Sequence, residues 1–230
     1  MRYGYIGLGH LGAQLAGSLL REGFPLTVTD LNKDLAAPLL ARGARWADSP
    51  KAVASASDAA ITCLPSPTVS EKVLCGPDGI LAGLRPGGAW IEMSTLGRDE
   101  ILRLAAKAAE KGVATLEAPV TGGVHRAAAG EITVLAGGDP ALFEAHRPAL
   151  AAMGGEIFHM GPLGSAAVIK VITNMLAFIH LVAAGEALML AKRGGLDLAQ
   201  AFHAIKASSG NSFVHETESQ LILNRSYNIN

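Results

Sequence analysis

The feature that most constrains this chain is a six-residue turn near its start, Gly7-Leu8-Gly9-His10-Leu11-Gly12. It stands between an apolar run, Arg2–Ile6, that reads as a short buried strand, and Leu11–Arg21, which reads as a helix. Each glycine at this spacing has a mechanical task. The first makes a tight turn, the second lets a phosphate group approach bare backbone, and the third lets the helix lie close on the strand. Free N–H groups at the helix start then face the phosphate charge. A second strand, Leu26–Thr29, ends at Asp30, where an acid binds the hydroxyls of an adenine ribose. The plainer alternative makes Asp30 a turn or cap residue before Asn32-Lys33-Asp34. The full strand–turn–helix–strand context favours a dinucleotide. Asp30 would repel a 2′-phosphate and no Arg follows it directly, so NAD is expected rather than NADP. Gly4, Gly7, Gly9 and Gly12 also break the apolar run that would otherwise resemble a signal peptide, and no targeting segment is expected.

The alternation continues. Helical stretches are expected at Lys33–Ala41, Lys51–Ser57, Thr68–Leu74 and Arg98–Lys111, with strands at Ala44–Ala47, Asp58–Leu64, Ala89–Met93 and Val113–Glu117. Such units build a mostly parallel sheet covered on both faces, with ligands at the carboxyl ends of the strands. Leu64, Pro65, Ser94 and Thr95 lie at such ends and are candidate cofactor contacts. Turn chemistry and helix capping, for which Thr95 is suited, are the alternative. Further on, Ala118-Pro119-Val120-Thr121-Gly122-Gly123 precedes a helical Val124–Ala129, a strand Ile132–Leu135, a helix Pro140–Met153 and a strand Glu156–His159. Thr121, Gly122 and Gly123 offer a hydroxyl and consecutive bare N–H groups that can hold a carboxylate. A simple glycine turn is the competing explanation.

After Gly161-Pro162-Leu163-Gly164 the pattern changes to helix alone: Gly164–Lys192, Leu198–Ala207 and Ser212–Leu223. The first of these lacks proline, has one interior glycine and is apolar nearly all round, so it is expected to be buried. Its length approaches a bilayer span. Lys170, Asn174, His180 and Glu186 within it count against that reading, because ionisable groups at mid-bilayer are costly. Lys170 and Asn174, four apart, share a face, and a lysine seldom sits in such a helix without a task. Two domains follow, 1–162 and 163–230. A net charge of −1 and a pI near 6.7 point to neither nucleic acid nor anionic lipid. Cys63 and Cys75 form no disulfide framework, which suits a reducing cytoplasm, and are too few for a zinc site.

Taken together, the motifs resemble the β-hydroxyacid dehydrogenases, the group that includes 3-hydroxyisobutyrate dehydrogenase and tartronate semialdehyde reductase. The resemblance rests on Gly7–Gly12 with Asp30, on Glu92-Met93-Ser94-Thr95, on Ala118–Gly123, and on Gly164 through Lys170 to Asn174, in family order. It implies an α/β fold: an N-terminal Rossmann-like dinucleotide-binding domain, then an all-α domain led by a long helix. It implies hydride transfer between NAD and a small hydroxyacid or semialdehyde, with Lys170 catalytic, Asn174 and Thr121-Gly122-Gly123 holding the substrate, and Gly7–Gly12, Asp30, Pro65 and Thr95 at the cofactor. Thr121 stands where serine is commoner, and Thr173-Asn174 where many members have two asparagines. Family members continue, past the place of Asn230, through further helices that carry a Lys-Asp pair near the cofactor.

Lysine suits the chemistry, since its ammonium both steadies a developing alkoxide and gives it a proton. Burial is expected to lower its pKa. His180 lies about 80° round the helix from Lys170 and is read as a packing or domain-contact residue. Two other readings remain open, a catalytically weak NAD-binding or assembly protein and an imine reductase. Imine reductases usually replace the lysine. The 6-phosphogluconate dehydrogenases share the motifs, but Arg126 is the one positive charge beside the glycine loop. A helix as apolar as Gly164–Lys192 must be covered, which leads to an expected homo-oligomer, dimer or tetramer. Expected partners are otherwise a small carboxylate substrate, with no nucleic acid, membrane or metal.

Overall fold

Four-residue strands buried along their whole length need helices on both faces, and the first two-thirds of the chain supplies them. A computed structural model describes residues 1–226; Tyr227–Asn230, the end of the sequence-predicted helical domain, lie outside the described residues. Strand β1 (Tyr3–Ile6) leads into α1 (His10–Arg21), β2 (Leu26–Thr29), a 3₁₀ turn continuing as α2 (Ala37–Leu40), and β3 (Arg45–Trp46). Then come α3 (Pro50–Ser55), β4 (Ala59–Thr62), α4 (Pro67–Cys75), β5 (Ala89–Glu92), α5 (Arg98–Ala109) and β6 (Ala114–Glu117). The six strands form one parallel sheet in the order β3-β2-β1-β4-β5-β6. The order reverses between β1 and β4, and a crevice opens at the carboxyl ends beside such a reversal.

Alternate strand residues face opposite layers. Tyr5, Ile61 and Ile91 join Leu15 and Leu19 of α1 on one face. Ile6, Ala60 and Trp90 join Val53, Ile101 and Leu104 on the other. The Trp90 indole N–H, buried there, donates to Thr62 Oγ1 at 2.8 Å.

A second sheet follows: β7 (Val120–Thr121), α6 (Val124–Ala129), β8 (Ile132–Ala136), α7 (Pro140–Met153) and β9 (Gly154–His159), ordered β7-β8-β9. Here β7 runs antiparallel to β8, and β8 parallel to β9. The sequence pattern assigns no strand to residues 118–123, because two residues are too few for a strand period to show.

The long helix α8 spans Ser165–Arg193 without a break. The fold divides inside it, into Met1–Val171 and Ile172–Asn230. In the second unit the rest of α8 is joined by α9 (Leu198–Lys206) and α10 (Phe213–Leu223). Asp197 caps α9 by accepting from Gln200 N–H at 2.8 Å. The buried His215 of α10 bonds through Nε2 to the Phe202 carbonyl at 3.1 Å and through Nδ1 to Ser219 at 3.0 Å, pinning α10 to α9.

One expectation fails. Although α8 is long and apolar enough to cross a membrane by length and composition, it is largely exposed within the described residues: Phe178 is 66% and Leu190 73% exposed. His180, read as a packing or domain-contact residue, is exposed too.

Candidate active site

The glycine turn is clamped from two sides. Gly7 has φ +98°, and a Cβ there would strike the Cys63 carbonyl oxygen at the end of β4. A Cβ on Gly12 would strike the Gly7 carbonyl oxygen, so α1 can start this close to β1 only with glycine there. Gly9 faces open space, which leaves its backbone approachable. Leu8 is buried, His10 is exposed, and Leu11 is half-buried on the first turn of α1. Asp30 reaches across from β2: Oδ2 accepts from Leu8 N–H at 2.6 Å and Oδ1 from Asn32 N–H at 2.9 Å. The acid is thus both a turn residue and a carboxylate held against the glycine turn.

The neighbouring strand ends are tied together. Leu64 N–H donates to Ser94 Oγ at 2.7 Å, and Ser94 N–H donates to Glu92 Oε1 at 2.7 Å. The Ser94 hydroxyl therefore joins the end of β4 to the end of β5. Thr95 is exposed and does not cap α5; the cap is Gly97, whose N–H donates to Glu100 Oε2 at 2.7 Å.

Between these ends lies a cleft of about 240 Å³ lined by Leu11, Cys63, Leu64, Pro65, Met93, Ser94, Thr95, Val120 and Lys170. Residues separated by more than a hundred positions meet here. Lys170, in the second turn of α8, is 8% exposed, and burial lowers its pKa from the ordinary lysine value. A buried lysine of this kind exchanges a proton more readily than a solvated one. Thr121, half-buried, follows the cleft residue Val120 on β7, and Gly122 and Gly123 take φ of +125° and +85° as the chain turns into α6. Asn174 lies one helical turn beyond Lys170, in the second unit, and is half-buried.

Sequence reasoning missed several groups. Cys63 lines the cleft without any local signal, and Met93 and Val120 line it from within motifs read for their neighbours. Burial, with the Glu92 carboxylate nearby, pushes the Cys63 thiol up to about 12. Glu92 and Glu117 are 1% and 2% exposed, and burial holds both carboxyls above the usual range against the hydrogen bonds they accept. For Glu92 a signal was present, an acid as the last residue of an otherwise buried strand; Glu117 ends a strand whose first two residues are not buried. Among the described residues no group of three or more His, Cys, Asp or Glu could hold a metal ion.

Residues 2–161 match the NAD binding domain of 6-phosphogluconate dehydrogenase, and residues 164–230 match the NAD-binding domain of NADP-dependent 3-hydroxyisobutyrate dehydrogenase. The chain is 35% identical to 2-(hydroxymethyl)glutarate dehydrogenase of Eubacterium barkeri, over 95% of this chain and 72% of the relative. It is 38% identical to an NAD-dependent L-serine dehydrogenase of Pseudomonas aeruginosa, over 92% of this chain and 71% of that one. The crystal structure of 3-hydroxyisobutyrate dehydrogenase from Salmonella typhimurium superposes with a TM-score of 0.91 at 33% identity, covering 99% of this chain and 80% of that one. A Rossmann-like domain that binds NAD(P) is followed by a helical segment opened by α8, and both halves match one group of CH–OH oxidoreductases. The chain belongs to the β-hydroxyacid dehydrogenase family.

Proposed function

We propose that the chain oxidises the primary alcohol of a small β-hydroxyacid to its semialdehyde, and runs the reverse reduction, with Lys170 as the acid–base group. The observation that carries this reading is the buried Lys170 in the cleft formed by the ends of β4 and β5. Gly9, open to solvent between the clamped Gly7 and Gly12, fits a dinucleotide pyrophosphate, and Asp30 beside it fits the ribose hydroxyls. A bound nicotinamide would supply the hydride acceptor for the carbinol carbon in oxidation and the donor in reduction. Lys170 as neutral amine removes the alcohol proton; as ammonium it gives that proton back to the alkoxide formed in reduction. Thr121, Gly122 and Gly123 bind the carboxylate, and Asn174 helps to orient the substrate. Leu64, Pro65, Ser94 and Thr95, which line the cleft with Lys170, would contact the bound cofactor.

Asp30 favours NAD, since a carboxylate repels a 2′-phosphate. The relatives' names point to one chemical core: 2-(hydroxymethyl)glutarate and L-serine share a CH₂OH on the carbon next to a carboxylate. The reading therefore places selectivity in the group that occupies the remaining position on that carbon. It also includes association of two or more copies through α8, supported by the apolar residues exposed along it, and a reducing cytoplasm, supported by two free thiols.

The test is a panel of 3-hydroxyisobutyrate, L-serine and 2-(hydroxymethyl)glutarate, each assayed with NAD and NADP. Turnover with at least one acid and a higher kcat/KM for NAD is expected. A preference for NADP would overturn the assignment to Asp30. NADH binding without turnover of any acid would leave a cofactor-binding protein of another purpose.

A further inference from the structure

Glu117 closes β6 in the interior of the first unit, and its carboxylate accepts three hydrogen bonds from backbone. Oε1 accepts from Gly164 N–H at 2.6 Å and Ala166 N–H at 2.9 Å, and Oε2 accepts from Ala167 N–H at 3.0 Å. These are among the donors that the first turn of a helix leaves without intrahelical partners. A helix usually satisfies them with its own N-cap side chain. Gly164 has none, and its φ of +95° is one that residues with a Cβ rarely adopt. The cap of α8 therefore comes from a strand 47 residues earlier. Its negative charge also meets the positive end of the helix dipole.

Three donors on two oxygens fix more than the presence of a helix. Advancing α8 by one residue would turn it by about 100° and present different N–H groups, so the bonds set both its height and its rotation. Lys170 follows Ala166 by one turn and shares its face. The main chain of Glu117 is held in turn by Gly137, with N–H···O bonds of 3.0 and 2.9 Å in the two directions. A Cβ on Gly137 would strike the Glu117 carboxylate, so glycine there leaves the carboxylate its place. Beyond Glu117, three residues lead to Thr121.

We propose that Glu117 is a positioning residue for the reaction, setting the rotation of α8 so that Lys170 meets the cleft and linking that lysine to the Thr121 loop. The proposal rests on the reading of Lys170 as the acid–base group. Compare wild type with Glu117→Ala, Glu117→Gln and Lys170→Ala, using NADH titration for cofactor affinity and the best acid of the panel for kinetics. Glu117→Ala is expected to lower kcat by about 10²-fold, the scale of an ångström-sized misplacement, with NADH affinity within about twofold of wild type. Glu117→Gln keeps the shape and one acceptor oxygen, so its kcat should fall between the two. Amide exchange at Ala166 and Ala167, read without any substrate, should rise in both variants.

A folded Glu117→Ala with wild-type kcat overturns the proposal. So does a loss in which NADH affinity falls as far as kcat. Should Glu117→Ala not fold, Glu117→Gln carries the test, and wild-type kcat with wild-type amide exchange there refutes it. Wild-type kcat in Lys170→Ala refutes the acid–base reading itself, a result separate from any of these.

Discussion

Lys170 is where the residue scale bears most directly on chemistry. Replacement by alanine should lower kcat by about 10²–10⁴-fold, the usual contribution of a general acid–base group, while NADH affinity stays near wild type. Steady-state kinetics and NADH titration check this. Burial lowers the lysine's pKa below 10.5. Oxidation, which needs the neutral amine, should therefore rise as pH climbs through that lowered value, and reduction, which needs the ammonium, should fall over the same window. Lys170 and the Gly7–Gly12 turn were legible in the sequence because a lysine in an apolar helix and three spaced glycines are local anomalies. Glu117 was not, since its partners lie 47 to 50 residues away and no spacing connects them. Thr95 was suited to cap α5 by type, but the chain places Gly97 there.

At the scale of elements, the join between β1 and α1 tolerates least. Gly12→Ala puts a methyl against the Gly7 carbonyl and should cost about 1–3 kcal/mol, as other overpacking does, and weaken NADH binding because the turn must open. Thermal unfolding and NADH titration read the two effects. The edges of the elements respond to acid instead. Asp58 is held at about 2 by hydrogen bonds from Arg2, with Arg85 adding to the effect, and Glu71 at about 2 by Arg103 and Lys107. Both folded values lie below the ordinary carboxylate range, so their stabilisation is complete above about pH 4.5 and is lost as pH falls toward 2. The melting temperature of wild type should drop through that window, and Asp58→Asn with Glu71→Gln should flatten the drop. Element type was largely legible, as in α7, whose sequence-predicted span Pro140–Met153 matches the structure. The second sheet was not, because β7 has two residues and its pairing with β8 is a tertiary fact.

For the whole molecule, the apolar length of α8 decides behaviour in solution. Within the second unit, Leu181, Leu188, Met189, Leu198 and Ile222 border a hollow of about 830 Å³, and exposed side chains such as Phe178 and Val182 continue along the helix. Apolar surface on this scale marks an interaction site. Light scattering should find a homo-oligomer, and a monomer at micromolar concentration would refute it. The expectation that α8 is buried fails within one chain, since apolarity in a sequence reports a need for cover and not its source. One consequence follows from α8 being unbroken. The helix whose second turn holds Lys170 also carries the exposed apolar residues, so a predicted assembly and turnover would draw on one element. Specific activity should then obey mass action, falling on dilution as copies part and returning on concentration, and a rate quoted without the protein concentration would describe an unknown mixture.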